Sequence, residues 1–250
     1  MFSSLHHQSL FSLLFLLVFI IAIPAYGQGG PPMITDDPFT PENGHFENNF
    51  AIQFTGTSSS KEIDIPAIDI NYGYGDHIQL KIEMPMIKYL HDDDGSLTGS
   101  GNVKIGMKAR FLDEEINGIA ISTFPQYEFN NSHITEGSEA PQFFFPLEAA
   151  KTFGRFHYAA DIGYSFHASG PDELAYGIVM GYDQSEQFEL LVELHGDNHV
   201  HNGLEEVIFN LGLTYRLSSS LLFLASSGTT VYSPERGRTY VAYLGIRWTL

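Results

Sequence analysis

Apolar and polar side chains alternate along the last twelve residues of the chain, residues 239–250. Leu244 and Trp248 fall on the apolar face, and Arg247 falls on the opposite face. A period of two predicts a β-strand rather than a helix. The length suits a tilted strand that crosses a membrane, which takes roughly 9–11 residues. This pattern is typical of the strand that closes a bacterial outer-membrane barrel. Arg247 lies on the same seam as Glu47 near the start of the alternation, so we predict an ion pair where the barrel closes.

The same alternation recurs eleven times before this closing strand. The predicted strands lie near residues 45–55, 68–74, 77–86, 103–111, 118–129, 142–153, 156–167, 176–182, 188–195, 206–216 and 221–227. Short turns and longer polar loops alternate between them, as they do in outer-membrane barrels with short periplasmic turns and long outer loops. We therefore predict an all-β fold over residues 45–250, a 12-stranded antiparallel transmembrane β-barrel of the bacterial outer membrane.

The start of the chain predicts export. Residues 1–27 carry no charged side chain, and residues 13–23 form an apolar run short enough for a secretory signal peptide. We predict cleavage after Gly27; a retained N-terminal anchor is the alternative. Residues 28–44 are rich in Gly and Pro and predict a periplasmic N-terminal segment, which could also plug the barrel. The leader, the broad aromatic faces and the strand number disfavour a soluble barrel, which would have the same periodicity with its apolar face inside.

The composition limits the classes of partner that this protein is expected to bind. The 30 acidic and 12 basic residues leave a formal net charge of −18, which disfavours nucleic-acid binding. The absence of cysteine fits an exported protein that needs no disulfide. The aromatic residues, 14% of the chain against 17% charged, suit lipid contact and interfacial girdles. The predicted partners are outer-membrane lipids, the barrel-assembly machinery through the C-terminal strand, and a small-molecule solute of unknown identity. No cofactor is predicted.

Several short motifs resemble those of a known family. They are TDDP at 35–38, GHFE at 44–47, IDINYGYGD at 68–76, QLKIEMP at 79–85, GMKARFL at 106–112 and STFPQ at 122–126. They resemble the outer-membrane β-barrels named for the meta-pathway of phenol degradation. The resemblance is strongest in the first half of the exported chain. It implies an outer-membrane barrel that passes small solutes, aromatic or hydrophobic compounds among them. The family has no motif that names a substrate, so the resemblance assigns no functional residue.

The polar faces of the strands are predicted to line the barrel interior. The candidate substrate-binding residues there are basic on the third and fourth strands and acidic on the fifth to ninth: Lys81, Lys104, Lys108, Arg110, Glu128, Glu148, Asp161 and Glu193. A basic wall facing an acidic wall would orient dipolar solutes in an open pore. Buried charges also need partners, so a lumen filled by ion pairs remains the alternative.

Two clusters resemble metal sites, and each has a simpler interpretation. His195, His199 and His201, with Asp197 between them, could bind zinc, copper or nickel. A solvated outer loop also explains these residues without any ligand. The three aspartates at residues 92–94 could attract calcium, but nothing else of an EF-hand loop accompanies them. No metal ligand is therefore predicted.

The predicted function is passive passage or binding of small solutes. Ser165 and His167 lie two residues apart on one predicted face, but no acidic residue is implied that would orient the histidine. No catalytic residue is therefore predicted. The alternatives are a non-conducting structural or adhesion barrel that acts through its acidic outer loops and, less favoured, an outer-membrane lipid-modifying enzyme.

Overall fold

Twelve antiparallel strands form one closed sheet in the computed structural model, which describes residues 30–92, 95–132, 141–200, 205–234 and 237–250. The strands are β1 (Phe46–Gly56), β2 (Lys61–Tyr74), β3 (Ile78–Pro85 continued by Lys88–Asp92), β4 (Gly95–Gly99 continued by Lys104–Leu112), β5 (Ala120–Thr123 continued by Gln126–Glu128), β6 (Gln142–Phe153), β7 (Phe156–His167), β8 (Glu173–Asp183), β9 (Phe188–His199), β10 (Glu205–Arg216), β11 (Leu221–Tyr232) and β12 (Tyr240–Thr249). One helical turn, α1 (Glu114–Asn117), joins β4 to β5. The predicted 12-stranded barrel is confirmed. The predicted signal peptide lies outside the described residues.

The outward face of the barrel is apolar and the inward face is polar. Large apolar side chains are exposed on the outside of strands around the whole barrel, among them Phe50, Leu80, Ile105, Phe145, Ile178, Leu211 and Leu244. The largest fully buried side chains include Lys108, Glu148 and Glu193. A soluble barrel has the reverse arrangement. A closed ladder with an apolar exterior is the form in which strands cross a lipid bilayer, so this is a barrel of the outer membrane. No helix among the described residues is long and apolar enough to span a membrane.

The two ends of the barrel differ in their connections. Turns at residues 75–77, 154–155, 184–187 and 217–220 are short and lie at the end where β1 begins and β12 ends. The connections at the opposite end are generally longer. In outer-membrane barrels the short turns are periplasmic and the long loops face outward. We name the two ends of this barrel accordingly.

The outer ends of several strands extend further than the sequence predicted. No strand was predicted between residues 86 and 103, but Lys88–Asp92 pairs with Gly95–Gly99 in a hairpin that continues β3 and β4. This hairpin is stabilised by pairing with the start of β2 at Lys61. β9 likewise continues to His199. Beyond the bilayer both faces of a strand meet water, so alternation of apolar and polar residues no longer marks it.

The closing seam matches its prediction. β12 pairs with β1 along ten residue pairs, which include Asn49 opposite Arg247. The Arg247 Nε atom lies 3.2 Å from Glu47 Oε1 and 3.0 Å from Asn49 Oδ1. The predicted ion pair between Arg247 and Glu47 is therefore confirmed. Trp248 beside it is partly exposed on the outward face.

Candidate functional site

Residues 30–44, hereafter the lumenal segment, lie inside the barrel. The segment enters from the periplasmic end, where the Gly44 amide donates to Gly73 O at 2.8 Å and the Gly75 amide donates to Asn43 Oδ1 at 2.8 Å. From there it passes along the lumen and contacts inward side chains of strands on several sides. The sequence predicted a periplasmic segment at residues 28–44 and left open whether it fills the barrel. Its described part occupies the lumen.

Glu193 on β9 holds the segment by its backbone. Its carboxylate accepts hydrogen bonds from the Ile34 amide at 3.0 Å and from the Thr35 amide at 2.6 Å. It also accepts one from Asn210 Nδ2 on the neighbouring strand at 2.9 Å. Glu193 is completely buried. A carboxylate that accepts several N–H groups in such a site makes strong, charge-assisted hydrogen bonds, so Glu193 anchors the centre of the segment.

Lys108 and Asp161 hold the next residues of the segment. The Asp36 amide donates to Asp161 Oδ2 at 3.2 Å, and the Asp36 carboxylate lies 3.0 Å from Lys108 Nζ. Lys108 also donates to the carbonyl of Asp37 and lies 3.5 Å from Glu148 Oε2. A buried ammonium group requires such partners, because leaving one charge uncompensated is strongly destabilising. The segment thus supplies two of the partners of the buried Lys108 ammonium group, the Asp36 carboxylate and the Asp37 carbonyl.

The opposite wall binds the first residues of the segment through their carbonyl groups. Arg247 Nη2 donates to Pro31 O at 3.2 Å, and Ser226 Oγ donates to Pro32 O at 2.7 Å. Proline has no amide hydrogen, so its carbonyl is the only backbone group that can form a hydrogen bond. The segment is therefore fixed on both sides of the lumen.

Part of the inner wall is apolar and receives Met33. This side chain is buried in a cluster with inward residues of four consecutive strands: Ala150, Ala159, Val179 and Leu191. Phe39 packs against the same cluster. These residues were not predicted from the sequence. A signal for them existed, because each of β6 to β9 carries an apolar residue at an inward position among polar ones.

Two inward glycines make room for the segment. A Cβ atom on Gly177 would lie 1.9 Å from Thr35 Oγ1, and one on Gly73 would lie 2.3 Å from Pro41 O. Real side-chain atoms do not approach so closely, and the second contact is with rigid backbone. The segment therefore lies in direct contact with the barrel backbone at these positions.

Within the described part of the chain, two cavities flank the segment in the lumen. The outer one has a volume of about 480 Å³ and the periplasmic one about 350 Å³. Four residues line both: Gly30, Pro31, Asp36 and Lys81. The two cavities therefore approach each other between the lumenal segment and Lys81 on β3.

The predicted basic wall is neutralised by neighbouring strands. Lys81 Nζ lies 3.0 Å from Glu83 and 3.5 Å from Asp69, and Lys104 Nζ lies 3.8 Å from both Glu83 and Glu128. Lys104 stands directly opposite Glu83 on one side and Glu128 on the other, so the strand register pairs these charges. The lumen therefore contains local ion pairs, which was the alternative to two separate charged walls.

Arg110 lies at the periplasmic rim. Its Nε atom is 2.8 Å from Asp113 Oδ1, and its Nη2 atom donates to Asp76 O at 2.6 Å. His77 lies 2.9 Å from the other oxygen of Asp113. The hydrogen bond with His77 and the charge of Arg110 lower the pKa of Asp113 below its usual value. The eight predicted lumen residues therefore fall into three groups. The outer cavity is lined by Lys81, Lys104, Glu128 and Asp161, and the periplasmic cavity is lined by Lys108 and Arg110. Glu148 and Glu193 are buried in the wall.

The remaining sequence clusters are only partly described. His195 faces the lumen, where Nδ1 lies 3.4 Å from Thr35 Oγ1. His201 and residues 93–94 lie outside the described residues. Ser165 is buried opposite Glu173 in the β7–β8 register, and His167 follows it on the same face. That neither is catalytic stays a prediction.

No family model and no curated protein matches the chain. Solved outer-membrane structures do resemble it. The NanC porin is 8% identical with a TM-score of 0.61 over 81% of this chain and 100% of that chain. The KdgM porin is 10% identical with a TM-score of 0.56 over 80% and 98%. The translocator domain of the autotransporter NalP from Neisseria meningitidis is 7% identical with a TM-score of 0.50 over 82% and 87%. At such identities the likeness shows the fold alone, and the chain has the closed-barrel fold of outer-membrane porins.

Proposed function

We propose that this protein is an outer-membrane channel for small solutes, and that its lumenal segment restricts their passage. The observation that carries the proposal is the pair of cavities, one on each side of the segment, which share the lining residues Asp36 and Lys81. A barrel filled throughout by wall side chains would leave no such space. A small displacement of the segment would open a passage between the cavities.

The outer cavity has the character of a small-molecule site. Its volume of about 480 Å³ falls within the range of roughly 300–1,000 Å³ common for ligand pockets. Hydrogen-bonding groups from several strands line it, among them Gln126, Gln142 and Lys104. These groups supply both donors and acceptors, so the cavity suits a polar or amphipathic solute.

Two inward aromatic rings support aromatic solutes as the preferred class. Phe144 on β6 and Tyr243 on β12 both line the outer cavity. Five strands lie between β6 and β12 in either direction, so the rings stand on opposite walls. Each ring packs against a glycine. A Cβ atom on Gly163 would lie 2.3 Å from the Phe144 ring, and one on Gly245 would lie 2.8 Å from the Tyr243 ring. A flat solute between them would find apolar surface beside polar groups, in keeping with the resemblance to the phenol meta-pathway family.

Conductance in planar lipid bilayers tests the channel. The mature chain is expected to give small or infrequent current steps. A variant that lacks residues 28–42 is expected to give larger and more persistent ones, because the lumen is then unobstructed. Folding of both proteins is checked by their heat-modifiable migration on gels. Silence of both folded barrels would overturn the channel and favour a second function.

That second function is a non-conducting structural barrel. The number of anchors on the segment favours it, since Glu193, Lys108 and Arg247 all bind it from the wall.

Uptake into proteoliposomes tests which class of solute the channel prefers. Faster uptake of benzoate than of a neutral sugar of similar size, relative to protein-free vesicles, supports aromatic preference; equal uptake contradicts it.

A further inference from the structure

Two carboxylates and an imidazole meet at the outer rim of the lumen. Glu173 begins β8, and Asp197 and His199 lie at the end of β9. Glu173 stands directly opposite His199 in the strand register. The His199 Nε2 atom lies 3.2 Å from Glu173 Oε2, and one ligand atom from each of the three residues lies within 4.8 Å of the others. All three side chains are partly buried, on the face of the strands that points into the barrel.

We propose that Glu173, Asp197 and His199 bind a divalent transition-metal ion, with Zn²⁺ as the best match. Zinc takes histidine nitrogen and carboxylate oxygen at about 2.0–2.2 Å, so its ligand atoms stand roughly 3.4 Å apart in a tetrahedral site. The observed separations, all within 4.8 Å, are close to that spacing. Three protein ligands leave a fourth position for water.

The charge at this rim also points to a cation. An ion pair between Glu173 and His199 requires only one carboxylate. Asp197 places a second carboxylate in the same cluster. Glu206, which is buried on β10, stands opposite Asp197 in the register and brings a third carboxylate to the same part of the wall. Carboxylates gathered in this way repel one another, and a bound divalent ion removes that repulsion.

The hydrogen-bonded ladder prepares this geometry. β8 and β9 pair without interruption from Glu173 opposite His199 to their periplasmic ends. The Val200 amide donates to Asp172 O at 3.0 Å and extends the pairing past the site. The backbones that carry the ligands are therefore held in place before an ion arrives, which lowers the ordering cost of binding.

The site lies at the mouth of the proposed channel. Glu173 itself lines the outer cavity. If the protein conducts, a bound ion adds positive charge where solutes arrive and lowers the current carried by cations. Metal binding does not depend on conduction, however, and can be measured on the barrel in detergent.

Titration calorimetry with Zn²⁺ tests the site on the mature chain, purified without a histidine tag and treated first with a chelator. We expect one Zn²⁺ per barrel, and at least tenfold weaker binding by His199→Ala and by Asp197→Asn. Co²⁺ bound in its place should give the intense visible absorption of a tetrahedral site, and this absorption should be lost in both variants.

The matched control is His91→Ala, which removes an exposed histidine on the outer hairpin and should leave binding unchanged. Heat-modifiable migration shows that each variant is folded, and if His199→Ala does not fold, Asp197→Asn decides. Absence of stoichiometric binding, or equal affinity in the folded variants and the parent chain, would overturn the site. A silent channel that still binds Zn²⁺ would refute only the proposed function.

Discussion

Replacement of Glu193 by alanine should weaken the docking of the lumenal segment. The Glu193 carboxylate accepts the amides of Ile34 and Thr35, and no other described group takes its place as their acceptor. The barrel wall around it does not depend on the segment for its ladder, because β9 pairs with β8 and β10 along its length. We therefore expect a folded barrel whose segment leaves its docked position more often.

The magnitude follows from these two hydrogen bonds. A hydrogen bond to a charged group contributes about 1.5–3 kcal/mol, so two contribute about 3–6 kcal/mol to docking of the segment. Each 1.4 kcal/mol is a factor of ten, so the undocked population should rise by roughly 10²–10⁴-fold. Lys108 and Arg247 still bind the segment in the variant, so the docked state remains the more populated one.

Thiol labelling measures that population. The chain contains no cysteine, so Met33→Cys introduces a single reporter at a buried position of the segment. Labelling by a bulky thiol reagent should be faster in the Glu193→Ala background, and open time in bilayers should rise with it. The matched control is Glu189→Ala. Glu189 lies on the same strand and face and accepts a hydrogen bond from Thr214 Oγ1 at 3.1 Å.

Two results would refute this reasoning. Unchanged labelling and conductance in Glu193→Ala would mean that these hydrogen bonds do not hold the segment. An equal effect of Glu189→Ala would mean that loss of any inward carboxylate loosens the barrel. In either case the anchor assigned to Glu193 would be wrong.

Three further changes have definite expected outcomes. Gly177→Ala should displace Thr35 and raise open time in bilayers, and Thr35→Gly in the same chain should partly restore closure; no change would contradict the close contact. Lys108→Met should leave buried carboxylates unpaired and lower barrel stability by about 3–5 kcal/mol in urea-induced unfolding, whereas an equally stable variant would count against the ion-pair network. Replacing Phe144 and Tyr243 by leucine should slow benzoate uptake by proteoliposomes more than sugar uptake; an equal change in both would contradict aromatic preference.

The number of strands and the direction of their faces were predictable from the sequence. Each strand that crosses a bilayer must present apolar side chains to lipid, and the period of two records this locally. The predicted bounds of β6 and β7 agree with the structure residue for residue. The pairing of Arg247 with Glu47 was also predictable, because closure brings the last strand beside the first.

The extent of the outer hairpins was not predictable in the same way. In the hairpin of Lys88–Asp92 with Gly95–Gly99, most described side chains are exposed to water. The residues of this hairpin are held by backbone pairing, which leaves no hydrophobic period in the sequence. The same reason explains why β9 was predicted to end before Asp197 and His199, and why their position opposite Glu173 was not foreseen.

The lumen shows most clearly what only the tertiary structure decided. The sequence identified which charges face inward, but the partner of each depends on register, and register brought Glu83 and Glu128 beside Lys104. The lumenal segment has no periodicity that could place it. Its position results from Glu193 and Gly177 on the wall, more than a hundred residues further along the chain. Contacts of this kind exist only once the barrel has closed, because closure creates the enclosed space in which a segment without regular structure can satisfy its backbone groups.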